Sequence, residues 1–273
     1  MNNNIVAQKL KKQKYDWTNK IINKIGTIIN YALLPIIILI AWWLVTKNKI
    51  FPTAILPSLD MVSHSFISQL ESGQLQIDIG TSLFRVIKGY IIASFLGITV
   101  GILMGVSKKI NRFFSGTLNS VRQIPIMAWI PLVILWCGVG EGSKIVVIVL
   151  GAFFPVLINT ISGINQIPEG YLEVGRMFKL SKWDLFRKIY FPSAIPSIFV
   201  GLRLSLGVSW SIVVAAELIA SSSGIGYRIN DASSLMNSEV VIVGMIVIGA
   251  IGIIMNQILV IVSKKITPWE NTK

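Results

Sequence analysis

The sequence predicts an all-α integral membrane protein with six transmembrane helices and a long cytoplasmic loop between the fourth and the fifth. Three observations carry this. Of 273 residues, 53% are hydrophobic and only 14% charged, with a mean hydropathy of +0.70; soluble domains carry about 25% charged residues. Several charge-free runs approach or exceed the roughly 20 residues that span a bilayer core of about 30 Å as helix. Those runs are continuous, not alternating, which argues against membrane β-strands.

The elements follow in order. Residues 1–24, rich in Asn and Lys, form a tail expected to be cytoplasmic. Span one, 25–46, is expected to be an uncleaved anchor: its apolar run is too long for a signal peptide, and no small-x-small site follows Trp42 and Trp43. Residues 47–78 are an external segment opened by Pro52 and Pro57, with a short helix expected around Met61 to Leu70. A transmembrane core is expected over 79–265. Its spans are 89–107 (starting as early as Ile79), 123–140, 145–168, 189–216 interrupted only by Arg203, and 240–263. Residues 266–273 close the chain as a second cytoplasmic tail.

Basic residues set the orientation. The net charge is +13, from 25 Lys and Arg against 12 Asp and Glu. Six Lys precede span one. Lys108, Lys109, Arg112 and Arg122 separate spans two and three; Arg176, Lys179, Lys182, Arg187 and Lys188 separate four and five; Lys264, Lys265 and Lys273 follow six. Lys47, Lys49, Arg85, Lys88, Lys144 and Arg228 fall on the other side. Membrane proteins keep Lys and Arg cytoplasmic, so both termini are predicted inside, and the charge needs no nucleic-acid partner.

Chemistry is sparse. With one cysteine, Cys137, and one histidine, His64, no disulfide within the chain and no Cys/His metal cluster is expected, and no cofactor is called for. The run from Gly138 to Lys144 lacks the Walker spacing and reads as a tight external turn. There is no nucleophile elbow, no HExxH and no aspartyl pair. The chain is therefore expected not to be an enzyme; any ATP hydrolysis belongs to another subunit.

Within span two, Gly89, Ala93, Gly97, Gly101 and Gly105 recur every four residues, a stripe that lets another backbone approach closely, within the chain or in a second subunit. Pro125, Pro131 and Pro155 should kink or break spans three and four. In the 20-residue loop 169–188, eight residues are charged, yet Tyr171, Leu172, Met177, Phe178, Leu180, Trp183, Leu185 and Phe186 recur among them. Such a segment either lies in the lipid headgroups or docks on a cytoplasmic partner.

Residues 173–196 resemble the EAA loop of bacterial ABC-importer permeases. Glu173, Phe186, Ile189, Pro192 and Pro196 match in register. Val174 and Gly175 stand at the two Ala positions, and Lys179 stands where a Gly is usual. The resemblance implies that Glu173, Gly175, Lys179, Phe186, Ile189 and Pro192 form a coupling helix fitting a cleft in a cytoplasmic ABC ATPase. Residues 123–144, Gly151 to Pro155, Asn159 and Thr160, Gly201 to Arg203, Trp210, and Ala216 with Glu217 are similar to the nitrate/sulfonate/taurine branch, a likeness over roughly 50–265.

What the branch implies is the permease subunit of an importer in the bacterial cytoplasmic membrane, multi-pass, acting as a homodimer with two ATPases and an extracytoplasmic substrate-binding protein. Its substrate would be a small anion: aliphatic sulfonate first, with taurine, nitrate or a pyrimidine precursor as alternatives. Pathway candidates are Arg203, Trp210 and Glu217. Arg203 is either an anion contact or a structural Arg bonded to a neighbouring helix. Glu217 is expected near the same face at the outer mouth, paired with Arg228, in an outer gate, or at a solvated helix end. Ser221 to Gly226 reads as an external loop able to meet a binding protein. A stand-alone secondary transporter or channel is the rival class; it calls for ionisable pairs at the midplane, where only Arg203 is found.

Overall fold

The structure, a computed structural model, describes residues 33–268, which are helical or loop with no strand. The tail 1–24, the first residues of span one and the end of the second tail lie outside the described residues. The chain divides into two compact units, 1–63 and 64–273.

In the first unit, α1 (Leu33–Lys47) is a short apolar helix. The Trp42 indole Nε1 donates to the Pro57 carbonyl at 3.0 Å, tying the Pro52–Pro57 segment back onto α1. The short helix expected around Met61 to Leu70 is α2 (Leu59–Glu71), which runs across the division between the units.

In the second unit, α3 (Gln74–Val106) follows Gly73, which is left-handed at φ 74°. It begins ahead of the boundary expected at 79 because Asp78 and Arg85, which truncate a charge-free run, are paired side chains within the helix. Extended Ser107 ends α3, and its hydroxyl accepts from the Ile110 N–H to cap α4 (Lys108–Gln123). The stretch between spans two and three, which carries Lys108, Lys109, Arg112 and Arg122, is thus a helix. Ile124 is extended, as the residue before a proline must tend to be, and Pro125 starts α5 (Ile126–Cys137). The two helices meet at 97°. With 12 residues, α5 reaches only about 18 Å; span three crosses only if α4 and α5 together form one broken span.

The remaining helices are α6 (Glu141–Asn165), α7 (Glu169–Met177), α8 (Lys182–Leu185) leading through a π turn (Phe186–Tyr190) into α9 (Phe191–Ala220), α10 (Ile225–Ser234) and α11 (Ser238–Ile266). Among the described residues, α3, α6, the continuous run 182–220 and α11 are each long and apolar enough to cross a membrane. Pro131 and Pro155 are accommodated inside α5 and α6; of the three prolines expected to break spans three and four, Pro125 alone separates two helices.

The glycine stripe packs within the chain. A Cβ on Gly89 would meet Ile148, on Gly97 Val156, on Gly101 Thr160, and on Gly105 Ile164. Both partners advance together, so α3 and α6 run parallel, with Ala93 and Ala152 fully buried in the same seam. On its other side α6 meets α9 antiparallel: a Cβ on Gly163 would meet Ser197, and one on Gly201 would meet Asn159. The Ser205 hydroxyl donates to the Ala152 carbonyl at 2.7 Å in that second seam. Backbones this close gain dispersion where lipid offers no hydrophobic drive.

Candidate functional site

Three places in the second unit bring chemistry-bearing residues together. The first is the loop joining α6 to α9. At the end of α7, the Lys179 N–H donates to the Arg176 carbonyl at 2.9 Å and the Leu180 N–H to the Gly175 carbonyl at 3.0 Å. That is a Schellman motif, which needs its penultimate residue left-handed; Lys179 adopts φ 50°. Lysine therefore takes the conformation that the usual Gly would take freely. Gly175 is buried, and a Cβ there would come 2.6 Å from Leu185 and 3.0 Å from Ile189. Its bare backbone lets α7 close on α8 and the π turn.

Ser181 caps α8: its side chain accepts from the Asp184 N–H at 3.1 Å. The π turn precedes Pro192, which has no N–H and whose ring crowds the carbonyl one turn back; the Phe191 N–H reaches Phe186 instead. Phe186 sits between the Trp183 and Phe191 rings, at 5.6 and 5.9 Å. Glu173 is exposed. Met177, Phe178 and Trp183 are 81%, 77% and 67% exposed, large apolar side chains set among the charged residues of the loop.

The second place is an ionic cluster around the buried Arg85, Glu217 and Asp78, at the opposite ends of the same helices. Arg85 donates through Nη1 to Glu217 Oε1 at 2.6 Å, through Nη2 to Glu141 Oε1 at 2.6 Å, and through Nε to Glu141 Oε2 at 2.8 Å. Its guanidinium also meets the Ser223 carbonyl and hydroxyl, each at 2.8 Å. Glu217 accepts further from Ser82 Oγ and from the Gly226 N–H. Asp78 pairs with Arg228 at 3.0 Å and accepts from the Gly224 N–H. The cluster ties α3, α6 and α9 to the 221–226 loop. Glu217 is thus neither solvated nor paired with Arg228, as its place near a helix end had allowed: Arg85 reaches it first, and Arg228 goes to Asp78.

The third place is the face of α9 toward α11. Arg203 is exposed, and its Nε donates to Asn256 Oδ1 at 2.6 Å. The Trp210 Nε1 donates to the Ile248 carbonyl at 3.0 Å. Arg203 and Trp210 share a small cavity with Gly252 and Asn256; Glu217 is not part of it. Among the described residues no group of three or more His, Cys, Asp or Glu is placed to hold a metal ion.

Residues 94–268 match the family described as the binding-protein-dependent transport system inner membrane component. The chain belongs to this family. The permease is 33% identical to the aliphatic sulfonates transport permease protein SsuC of Bacillus subtilis over 98% of this chain and 93% of that one. It is 35% identical to the nitrate import permease protein NrtB of Leptolyngbya laminosa, over 70% and 69%. A solved amino acid ABC transporter with histidines shares the fold at TM-score 0.58 and 19% identity, covering 79% of this permease and 98% of that chain.

Sequence reading missed Asp78, Ser82, Arg85 and Glu141 of this permease as a set. Asp78, Ser82 and Arg85 are spaced four and three apart, on one face of the first turns of α3. That polar stripe was the available signal, since such residues near a membrane face protein and seek partners. Their partners on α6 and α9 were not readable from spacing.

Proposed function

We propose that this permease passes a small anion through the cytoplasmic membrane for an ATP-driven importer, with aliphatic sulfonate as first choice and nitrate second. The likeness to SsuC over nearly the whole of both chains supports the sulfonate; the likeness to NrtB supports the second reading. Two copies of the chain work with two cytoplasmic ATPases and an extracytoplasmic binding protein. Catalysis of ATP hydrolysis lies in the ATPases.

The observation that carries the coupling role is the exposed Met177, Phe178 and Trp183 surface on a loop held rigid by the Schellman turn and the buried Gly175. Exposed apolar side chains carried on the hydrogen-bonded turn between α7 and α8 suit a groove in a partner, and closure of the ATPases moves whatever is seated there. The excess of Lys and Arg on that side supports cytoplasmic termini. Outside, the 221–226 loop, fixed by Arg85 and Asp78, offers the binding protein a preformed surface.

The test is copurification with the ATPase encoded beside the gene, followed by uptake of labelled ethanesulfonate and nitrate in cells carrying the whole system. Co-elution that is lost in Phe178→Asp, with uptake of ethanesulfonate over nitrate, is the expected result. Uptake without any ATPase overturns the importer reading; preference for nitrate overturns the sulfonate choice alone.

A further inference from the structure

Arg122 lies in the last turn of α4 and is exposed, with no partner among the described residues. It is one of four polar residues, with Asn111, Ser115 and Asn119, whose spacing of four, four and three puts them on one face of that helix. This face looks across a gap onto α6. The gap is a cavity of about 350 Å³, lined on the α6 side by Leu157, Ile158, Ile161, Ser162 and Asn165. None of Asn111, Ser115 and Asn119 has a side-chain partner among the described residues either.

The cavity does not stand alone. Arg122, Phe154 and Ile158 also wall a second cavity of about 300 Å³ that follows the bend at Pro125. Ile126 and Val208 of the second in turn wall a third, of about 660 Å³, which holds Arg203 and Asn256. A series of hollows with shared walls thus runs from Arg203 to Arg122, and no carboxylate lines any of them. The charge and donors sit at its ends, and apolar walls lie between.

We infer that Arg122, with Asn111, Ser115 and Asn119, forms an oxoanion site at the coupling-loop end of the substrate path, where a transported sulfonate is held before release. This rests on the proposed importer function and extends it by a second cationic station. The chemistry selects the ligand. A planar guanidinium with amide and hydroxyl donors satisfies several oxygens of one anion, while Leu157 and Ile158 accept a short alkyl chain. A site flanked by open cavity releases its ligand readily, as a pathway requires.

The full chain in phosphatidylcholine nanodiscs is titrated with ethanesulfonate, and saturation transfer to its methyl protons is read by NMR. The wild type is expected to give saturable binding that nitrate competes away. Arg122→Gln is expected to weaken it about tenfold or more, the usual loss for a charge-assisted contact. Arg122→Lys should fall between, keeping the charge but not the planar fork. Equal binding in Arg122→Gln, or no saturable binding to the wild type, overturns the site. Displacement of ethanesulfonate by phosphatidylglycerol added to the nanodiscs also overturns it, making a lipid headgroup the occupant. No ATPase takes part, so failure of the importer reading in copurification is separately visible.

Discussion

Arg85 Nη1 and Glu217 Oε1 lie 2.6 Å apart, with the two side chains 1% and 0% exposed. Removing one partner of such a buried pair strands the other charge, at a cost of about 3–5 kcal/mol. Arg85→Met and Glu217→Gln are each expected to lower the thermal midpoint of the purified chain. Arg85→Met should be worse, because it also releases Glu141 and Ser223. The double variant is expected to lose less than the two singles added together, since each removes the other's stranded charge. Thermal unfolding in detergent checks this; single variants that melt with the wild type would remove the cluster's structural role.

Lys179 at φ 50° carries a specific cost. A left-handed L-residue is disfavoured by about 1–2 kcal/mol, whereas Gly loses about 0.4–1 kcal/mol more than other residues to unfolded-chain entropy. The first outweighs the second. Lys179→Gly is therefore expected to stabilise the loop slightly, and Lys179→Val to destabilise it. Hydrogen exchange of the Leu180 amide, which closes the Schellman turn, is the local readout: slower in Gly, faster in Val.

The membrane class, the glycine stripe and the helix around Met61 to Leu70 were legible because each depends on composition or on one helix's own period. Span three was not. Its apolar run counts 18 residues between charges, but Ile124 ahead of Pro125 turns the chain through 97° within it, and a hydropathy window does not register direction. Charge-free runs failed at α3 for the opposite reason: Asp78 and Arg85 look like helix limits until their partners on α6, α9 and α10 are known. The break between α6 and α9 was legible through the charged residues gathered at 169–188. The conformation of Lys179 was not, since side-chain preference there loses to the turn's hydrogen bonds.

The α3–α6 seam discriminates sharply between glycines of one helix. A Cβ on Gly101 would come 2.7 Å from Thr160 Cβ and 3.1 Å from the Leu157 carbonyl, whereas one on Gly80 meets nothing within 4 Å. Gly101→Ala is expected to cost about 1–3 kcal/mol through overpacking. Gly80→Ala should be neutral or stabilising, gaining the helix preference of Ala, up to about 1 kcal/mol. Comparing the two melting curves decides it; equal midpoints would mean the helices separate without penalty.

Arg203 separates a pathway role from a structural one by what it touches. Among the described residues its side chain bonds Asn256 alone, which leaves the rest of the guanidinium facing the cavity beside Gly207 and Ser211. Gln at this position retains a donor for Asn256 and removes the charge. If Arg203 meets the anion, Arg203→Gln should reduce sulfonate uptake about tenfold, in keeping with loss of one charge-assisted contact, while the melting temperature stays near wild type. Arg203→Lys should recover part of the uptake, because charge without planar geometry serves an anion imperfectly. A structural Arg behaves differently: both variants would lose stability together with uptake. Normal uptake by a well-folded Arg203→Gln chain would take this residue out of the path.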